Sequence, residues 1–124
     1  DVVLLLGVLY HLRHPLLALE RVASITRDFL VLETVVDMVG LRRPAMAFYP
    51  DRELNNDPTN WWGPNVPAVH AMLRSVGFQR IRTTTPPPAA PYRFARALVD
   101  RVRGRNRFEL ALRQDRVVFH AWKT

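Results

Sequence analysis

Residues 1–34 read DVVLLLGVLYHLRHPLLALERVASITRDFLVLET. Val2 to Leu6 is an unbroken apolar run, the pattern of a strand buried on both faces of a parallel sheet; an antiparallel strand usually alternates. Gly7 lets the backbone turn or approach a neighbour closely where the run ends. Pro15 suits the first turn of a helix. Leu16, Leu19, Val22 and Ala23 then fall on one stripe, with Glu20, Arg21 and Ser24 facing away. Phe29 to about Val35 is a second apolar strand. Strand, helix and strand in this order form a βαβ unit, so the two strands are expected to be parallel and joined by a right-handed crossover.

Residues 38–64 behave differently. Gly, Pro, Asn and Asp punctuate MVGLRRPAMAFYPDRELNNDPTNWWGP throughout, and no period persists. Loops of this length are usually functional lids when ordered, and this one carries Phe48, Tyr49, Trp61 and Trp62. A helix follows, with Asn65 as its cap, Pro67 in its first turn and Gly77 at its end. Its buried face is Val69, Met72, Leu73 and Val76. FQRIRTTT alternates and reads as a strand, which the stiff spacer PPPAAP breaks off. Residues 86–107 form that spacer and a short basic helix with Phe94, Leu98 and Val102 at four-residue spacing. Arg93, Arg96, Arg101 and Arg103 lie on its flanks, and Gly104 closes it. Residues 107–113 read as strand or helix, and a last strand is expected at 116–123.

The chain's 124 residues suffice for one domain and one core, and 48% of them are apolar, so the chain as a whole is not disordered. With no Cys there is neither a disulfide frame nor a thiolate metal site, which fits a cytoplasmic protein. No apolar run is long enough to span a membrane, and no basic segment precedes VVLLLGVL as in a signal peptide; no membrane partner is expected. The net charge of +7 is unevenly placed. Residues 80–124 hold ten Arg and one Lys against three acids, whereas residues 1–79 hold seven Arg against eight acids. Such asymmetry suits a polyanion such as RNA, but equally a solvated basic face.

Ligands of parallel sheets bind beyond the carboxyl ends of the strands. Those ends here present Gly7, Tyr10, His11, Arg13 and His14 on one strand, and Glu33, Thr34 and Asp37 on the other. Together they make a candidate acid–base cluster, although a Tyr-His pair after a strand is also ordinary turn chemistry. His11 and His14 stand one helical turn apart with no third metal ligand nearby in sequence, and no metal site is expected. His70 and His120 read as structural. Neither a nucleophile elbow nor a phosphate-cradling glycine loop occurs. Trp61 and Trp62 suit stacking on a base or roofing a pocket, and equally anchoring a core.

Taken in order, GVLYH, LVLET, W-x-x-P-N and GF resemble the second half of a class I S-adenosylmethionine-dependent methyltransferase. The most similar branch is the family of tRNA wobble-uridine carboxymethyl or methoxy transferases. These segments are Gly7–His11, Leu30–Thr34, Trp61–Asn65 and Gly77–Phe78. The resemblance covers about residues 1–85 well and the last strand loosely. It implies that Gly7, Tyr10 and His11 line the cofactor pocket and that Tyr10 or His11 orients or deprotonates the acceptor. It also places Arg13, Glu33, Thr34, Trp61, Trp62 and Asn65 towards substrate, with 38–64 as a lid. The family's carboxylated cofactor is gripped partly by basic residues of a C-terminal segment. PPPAAPYRFARALVDRVRGR replaces that segment here, so ordinary S-adenosylmethionine is the implied cofactor.

The family's Gly-rich cofactor loop lies on strands that precede DVV in the fold. The resemblance therefore implies a single partial Rossmann-like α/β domain over 1–124, with strands in the order 4-5-7-6 and the seventh antiparallel. Methyl transfer, to tRNA by resemblance, is the expected activity of the parent, and the chain alone is expected to be inactive. The Asp1–Leu6 strand would be an edge, open to a second copy or to a missing N-terminal half. The alternative is a non-catalytic basic module that self-associates and contacts RNA or acidic partners, with Arg93, Arg96, Arg101 and Arg103 carrying the nucleic-acid contact.

Overall fold

A computed structural model describes residues 1–105 and 113–124. The βαβ opening is present as β1 (Val2–Leu6), α1 (Pro15–Ile25) and β2 (Phe29–Val36), with a single 3-10 turn at Leu9–His11 between β1 and α1. β1 and β2 are parallel, Val2 level with Phe29 and Leu6 with Glu33. Two short strands follow, β3 (Met46–Phe48) and β4 (Trp62–Pro64), then α2 (Val66–Ser75), β5 (Arg80–Thr83), α3 (Ala90–Val102) and β6 (Asp115–Trp122). The main sheet has the order β1-β2-β6-β5, with β6 antiparallel to both its neighbours.

One face of this sheet carries the core. Leu30, Leu32, Val117, Phe119 and Ala121 are buried with Leu19 and Ala23 of α1 and Val69 and Leu73 of α2. Pro67 falls in the first turn of α2, and the Asn65 side chain accepts from the Ala68 amide as its cap. Gly77 follows with φ +99°, a value that glycine reaches without Cβ strain.

Three expectations need correction. β1 is covered on one face only: Val2, Leu4 and Leu6 are 63%, 62% and 48% exposed, while Val3 and Leu5 pack on the core. The apolar run marks a strand with two apolar faces, and only one finds a partner in this chain. Leu16 is exposed as well, leaving α1 held by Leu19, Val22 and Ala23. The segment 38–64 is not a structureless loop. β3 and β4 pair antiparallel, Met46 opposite Pro64, and Tyr49 and Leu54 form a second small core with Tyr10 and Val35. Of residues 107–113, only Arg113 is within the described residues; the expected strand or helix there lies outside them.

Candidate active site

The carboxyl end of β1 turns at Gly7, whose φ of +68° is left-handed. Its amide donates to the Glu33 carbonyl at 3.0 Å, extending the ladder one residue past the strand. The chain then winds into the Leu9–His11 turn and delivers Tyr10 and His11 to the end of the sheet. Their rings lie 4.4 Å apart.

Tyr10 is buried, and its hydroxyl accepts a hydrogen bond from Arg116 Nη2 at 3.1 Å. Arg116 Nη1 donates to Glu33 Oε1 at 2.7 Å. Sheet register makes this chain possible. Arg116 of β6 is opposite Val35 of β2, so it is diagonal to Glu33 and projects on the same face. The Glu33 carboxylate raises the guanidinium's pKa, so Arg116 stays charged. An arginine can only donate, so the phenol oxygen accepts and the Tyr10 O–H remains available to donate outward.

His11 is oriented by the 38–64 segment. Its Nδ1 lies 3.1 Å from both the carbonyl and the hydroxyl oxygen of Thr59. A carbonyl only accepts, so Nδ1 carries the proton and Nε2 of the neutral ring keeps its lone pair. The Thr59 hydroxyl donates in turn to Asp57 Oδ1 at 2.7 Å. That bond, together with the Thr59 amide, holds the Asp57 carboxyl below its usual range.

The tandem tryptophans clasp the same turn. Trp61 donates its amide to the Tyr10 carbonyl at 2.8 Å, and Trp62 Nε1 donates to the Arg13 carbonyl at 3.1 Å. The Arg13 guanidinium lies 4.7 Å from the centre of the Trp61 ring, in cation–π range. Beside them an open, mainly apolar groove of about 650 Å³ runs past Arg13, His14, Leu17, Met46, Trp62 and Met72.

The fold therefore gathers Gly7, Tyr10, His11, Arg13, Glu33, Trp61 and Trp62 at one end of β1 and β2. It does not bring Thr34 or Asn65 there. Thr34 is fully buried, its hydroxyl directed to the carbonyl of Val35. Asn65 is also buried. Its Oδ1 accepts from the Ala45 and Ala68 amides and its Nδ2 donates to the Leu41 and Arg43 carbonyls, which uses its full hydrogen-bonding capacity inside the fold. Arg116 was missed in the sequence because its partners stand 83 and 106 residues away. The signal available was an arginine beside Asp115 at the start of a mainly apolar strand.

A second polar cluster ties the segment to the sheet. Asp37 is buried at the end of β2 and accepts from the Tyr49 hydroxyl at 2.5 Å, from Gln114 at 3.0 Å and from the Met38 amide at 2.6 Å, with Arg113 Nε at 3.4 Å. Burial, followed by the hydrogen bond and charge of Asp37, raises the Tyr49 phenol far above its ordinary pKa, so it stays protonated. Gly63 is packed so closely on Tyr49 and Asp37 that a Cβ there would overlap both. Among the described residues no group of three His, Asp or Glu is placed to hold a metal ion, and no helix is long and apolar enough to cross a membrane.

The architecture matches that of the N-terminal domain of EvdMO1, solved with S-adenosylhomocysteine bound, with a TM-score of 0.61 and 18% identity. The chain shares the fold of that domain. The match covers 98% of this chain and 45% of that domain. The same domain solved in the presence of S-adenosylhomocysteine and D-fucose gives a TM-score of 0.58 at 19% identity, over 98% of this chain and 47% of that one. Full EvdMO1 gives 0.55 at 16% identity, over 98% of this chain and 21% of that one. The chain thus spans less than half the length of these solved proteins. No family model matches the sequence, and no curated protein does.

Proposed function

We propose that this chain supplies the acceptor-facing half of an S-adenosylmethionine-dependent methyltransferase. The observation that carries the reading is the Glu33–Arg116–Tyr10 chain, with His11 beside it, at the carboxyl end of two parallel strands. Two further points support it. The fold is shared with a domain that binds S-adenosylhomocysteine. The order β1-β2-β6-β5 with β6 reversed is the order that strands 4, 5, 7 and 6 take in class I methyltransferases.

The residues present fit one side of such a cofactor. Gly7 leaves room at the strand end, and the half-buried His11 offers an aromatic face that suits a sulfonium. The cofactor supplies an already activated methyl group, so catalysis rests on proximity and orientation. Tyr10 donates its hydroxyl proton to a ligand oxygen, held in place by Arg116. His11 Nε2 takes a proton from the acceptor, and the Thr59–Asp57 pair steadies the ring as it charges. Trp61 and Trp62 hold Arg13 at the rim of the groove where the acceptor lies. By resemblance, that acceptor is the wobble uridine of a tRNA.

Arg116 also favours a second cofactor reading. It is a C-terminal basic residue that reaches the GVLYH end, and an Arg–Tyr pair is a good carboxylate receptor. The open edge of β1 favours self-association, either with a second copy or with the other half of the sheet.

The test is titration of S-adenosylhomocysteine into the chain by calorimetry, beside Arg116→Ala. Saturable micromolar binding that the substitution weakens supports the reading. No heat at millimolar ligand refutes a cofactor site in this chain alone. Transfer of a labelled methyl group to an unmodified tRNA transcript then tests the acceptor.

A further inference from the structure

α1, α2 and the β3–β4 pair meet beside the site turn and leave an open groove of about 650 Å³ between them, within the size range of pockets that take a whole small molecule. α1 gives the groove Leu16 and Leu17, α2 gives Met72, and β3 and β4 give Met46 and Trp62. Leu16 and Leu17 are 43% and 47% exposed, so this wall faces solvent rather than the core. Trp62 is held in place: its Nε1 is tied to the Arg13 carbonyl, and the Phe48 ring lies 5.0 Å from its own.

One guanidinium is presented on this groove without a partner. Arg13 lies over the Trp61 ring at 4.7 Å, and among the described residues its N–H groups enter no ion pair and no hydrogen bond. Contact with an aromatic face leaves the planar N–H fork free for a carboxylate. The other groups there that can carry charge are His14 and Glu20. A nucleic-acid strand brings a phosphate with every nucleotide, and the groove would meet it with one guanidinium, one imidazole and a repelling carboxylate. An uncharged apolar occupant would leave Arg13 unused, and a polyphosphate would leave the apolar walls unused.

We infer that the acceptor is a small apolar ring compound with one carboxylate and one phenolic hydroxyl: its body lies against Leu17, Met72 and Trp62, and Arg13 takes the carboxylate. The inference rests on the methyl-transfer reading and takes the acceptor class from the groove, where the resemblance takes uridine. Nε2 of the neutral His11 ring suits an acidic O–H such as a phenol. In the step, the phenol gives its proton to His11 Nε2, its oxygen bonds the methyl carbon, and the methyl–sulfur bond breaks with its electron pair left on sulfur.

The probe is 6-hydroxy-2-naphthoate, titrated into the full chain by calorimetry beside its methyl ester, which keeps the rings and the hydroxyl but not the charge. The expected result is saturable binding of the acid in the micromolar range and at least about tenfold weaker binding of the ester. Arg13→Gln weakens the acid at least about tenfold and leaves the ester unchanged, and Leu17→Asp weakens both about tenfold. Both positions are exposed, and far-UV circular dichroism confirms that the variants fold. The titration needs neither cofactor nor turnover, so its failure removes the acceptor class alone, while the S-adenosylhomocysteine titration decides the cofactor site. Four results overturn the proposal: no saturation at millimolar acid, an ester that binds as tightly as the acid, binding of the acid unchanged by both substitutions, or an anticodon stem-loop RNA that binds more tightly than the acid and is lost with Arg13→Gln.

Discussion

Gly63→Ala tests whether the 38–64 segment is locked to the sheet. Gly63 lies in β4 opposite Ala47, in extended backbone that alanine also adopts, so any effect is steric. A methyl group there would lie 2.9 Å from both Tyr49 Cζ and Asp37 Cβ, and closer still to the Tyr49 hydroxyl. Neither neighbour yields easily. Asp37 Cβ is fixed at the end of β2, and the phenol is held by Asp37 and Gln114. Overpacking of this kind costs about 1–3 kcal/mol. Displacing the phenol also forfeits a hydrogen bond to a carboxylate, worth about 1.5–3 kcal/mol. The expected loss is about 3–5 kcal/mol, a large share of the 5–15 kcal/mol typical of a domain. Urea unfolding followed by circular dichroism measures it. Tyr49→Phe removes the closest clashing atom, so the double variant is expected to lose less than the sum of the two single losses. A Gly63→Ala protein within about 1 kcal/mol of wild type, or strict additivity with Tyr49→Phe, refutes the locked arrangement.

Asn65→Ala removes a helix cap and strands the carbonyls of Leu41 and Arg43. A stability loss of about 2–4 kcal/mol in urea unfolding is expected, and a neutral result would return Asn65 to a ligand role. Gly7→Ala meets only ordinary contacts, to Tyr10 and Arg116, so its cost is the left-handed backbone alone, about 1–2 kcal/mol by the same measurement. His70 is held neutral by burial and then by the Arg74 guanidinium, and its ring bonds Thr83 at 2.8 Å. Its folded pKa lies below the unfolded value, so the unfolded chain binds more protons and stability falls as pH drops below about 6.5. The urea midpoint is expected to decline between pH 7.5 and 5 in wild type, and less steeply in His70→Gln. Leu4→Lys places a charge on the open face of β1, and light scattering at high concentration is expected to show less self-association than in wild type; a wild-type chain that stays monomeric removes the pairing.

Local pattern and punctuation were enough to locate most elements. The apolar runs at Val2–Leu6 and Phe29–Val36, the helix entries at Pro15 and Asn65–Pro67, and the glycine at 77 all act within a few residues of themselves, so sequence alone displays them. Tyr10, His11 and Glu33 were legible as site candidates for the same reason, since a strand's carboxyl end is a local feature. Asn65 was legible as the cap of α2, but the W-x-x-P-N string does not show that its amide also meets the Leu41 and Arg43 carbonyls, which turns it away from the groove.

What the sequence determined is the order and period of the elements. Tertiary structure decided register and facing. Arg116 reaches Tyr10 and Glu33 only because β6 inserts antiparallel beside β2 in one register, and a one-residue slip would turn it to the core. The 38–64 segment is tied down by β3 pairing with β4 and by Tyr49 meeting Asp37 and Gln114, contacts that no local pattern displays. A four-residue period shows that α3 has two unlike sides. Which side meets water depends on what the rest of the chain covers, and among the described residues Ala97 is buried while Leu98, Val99 and Val102 are exposed.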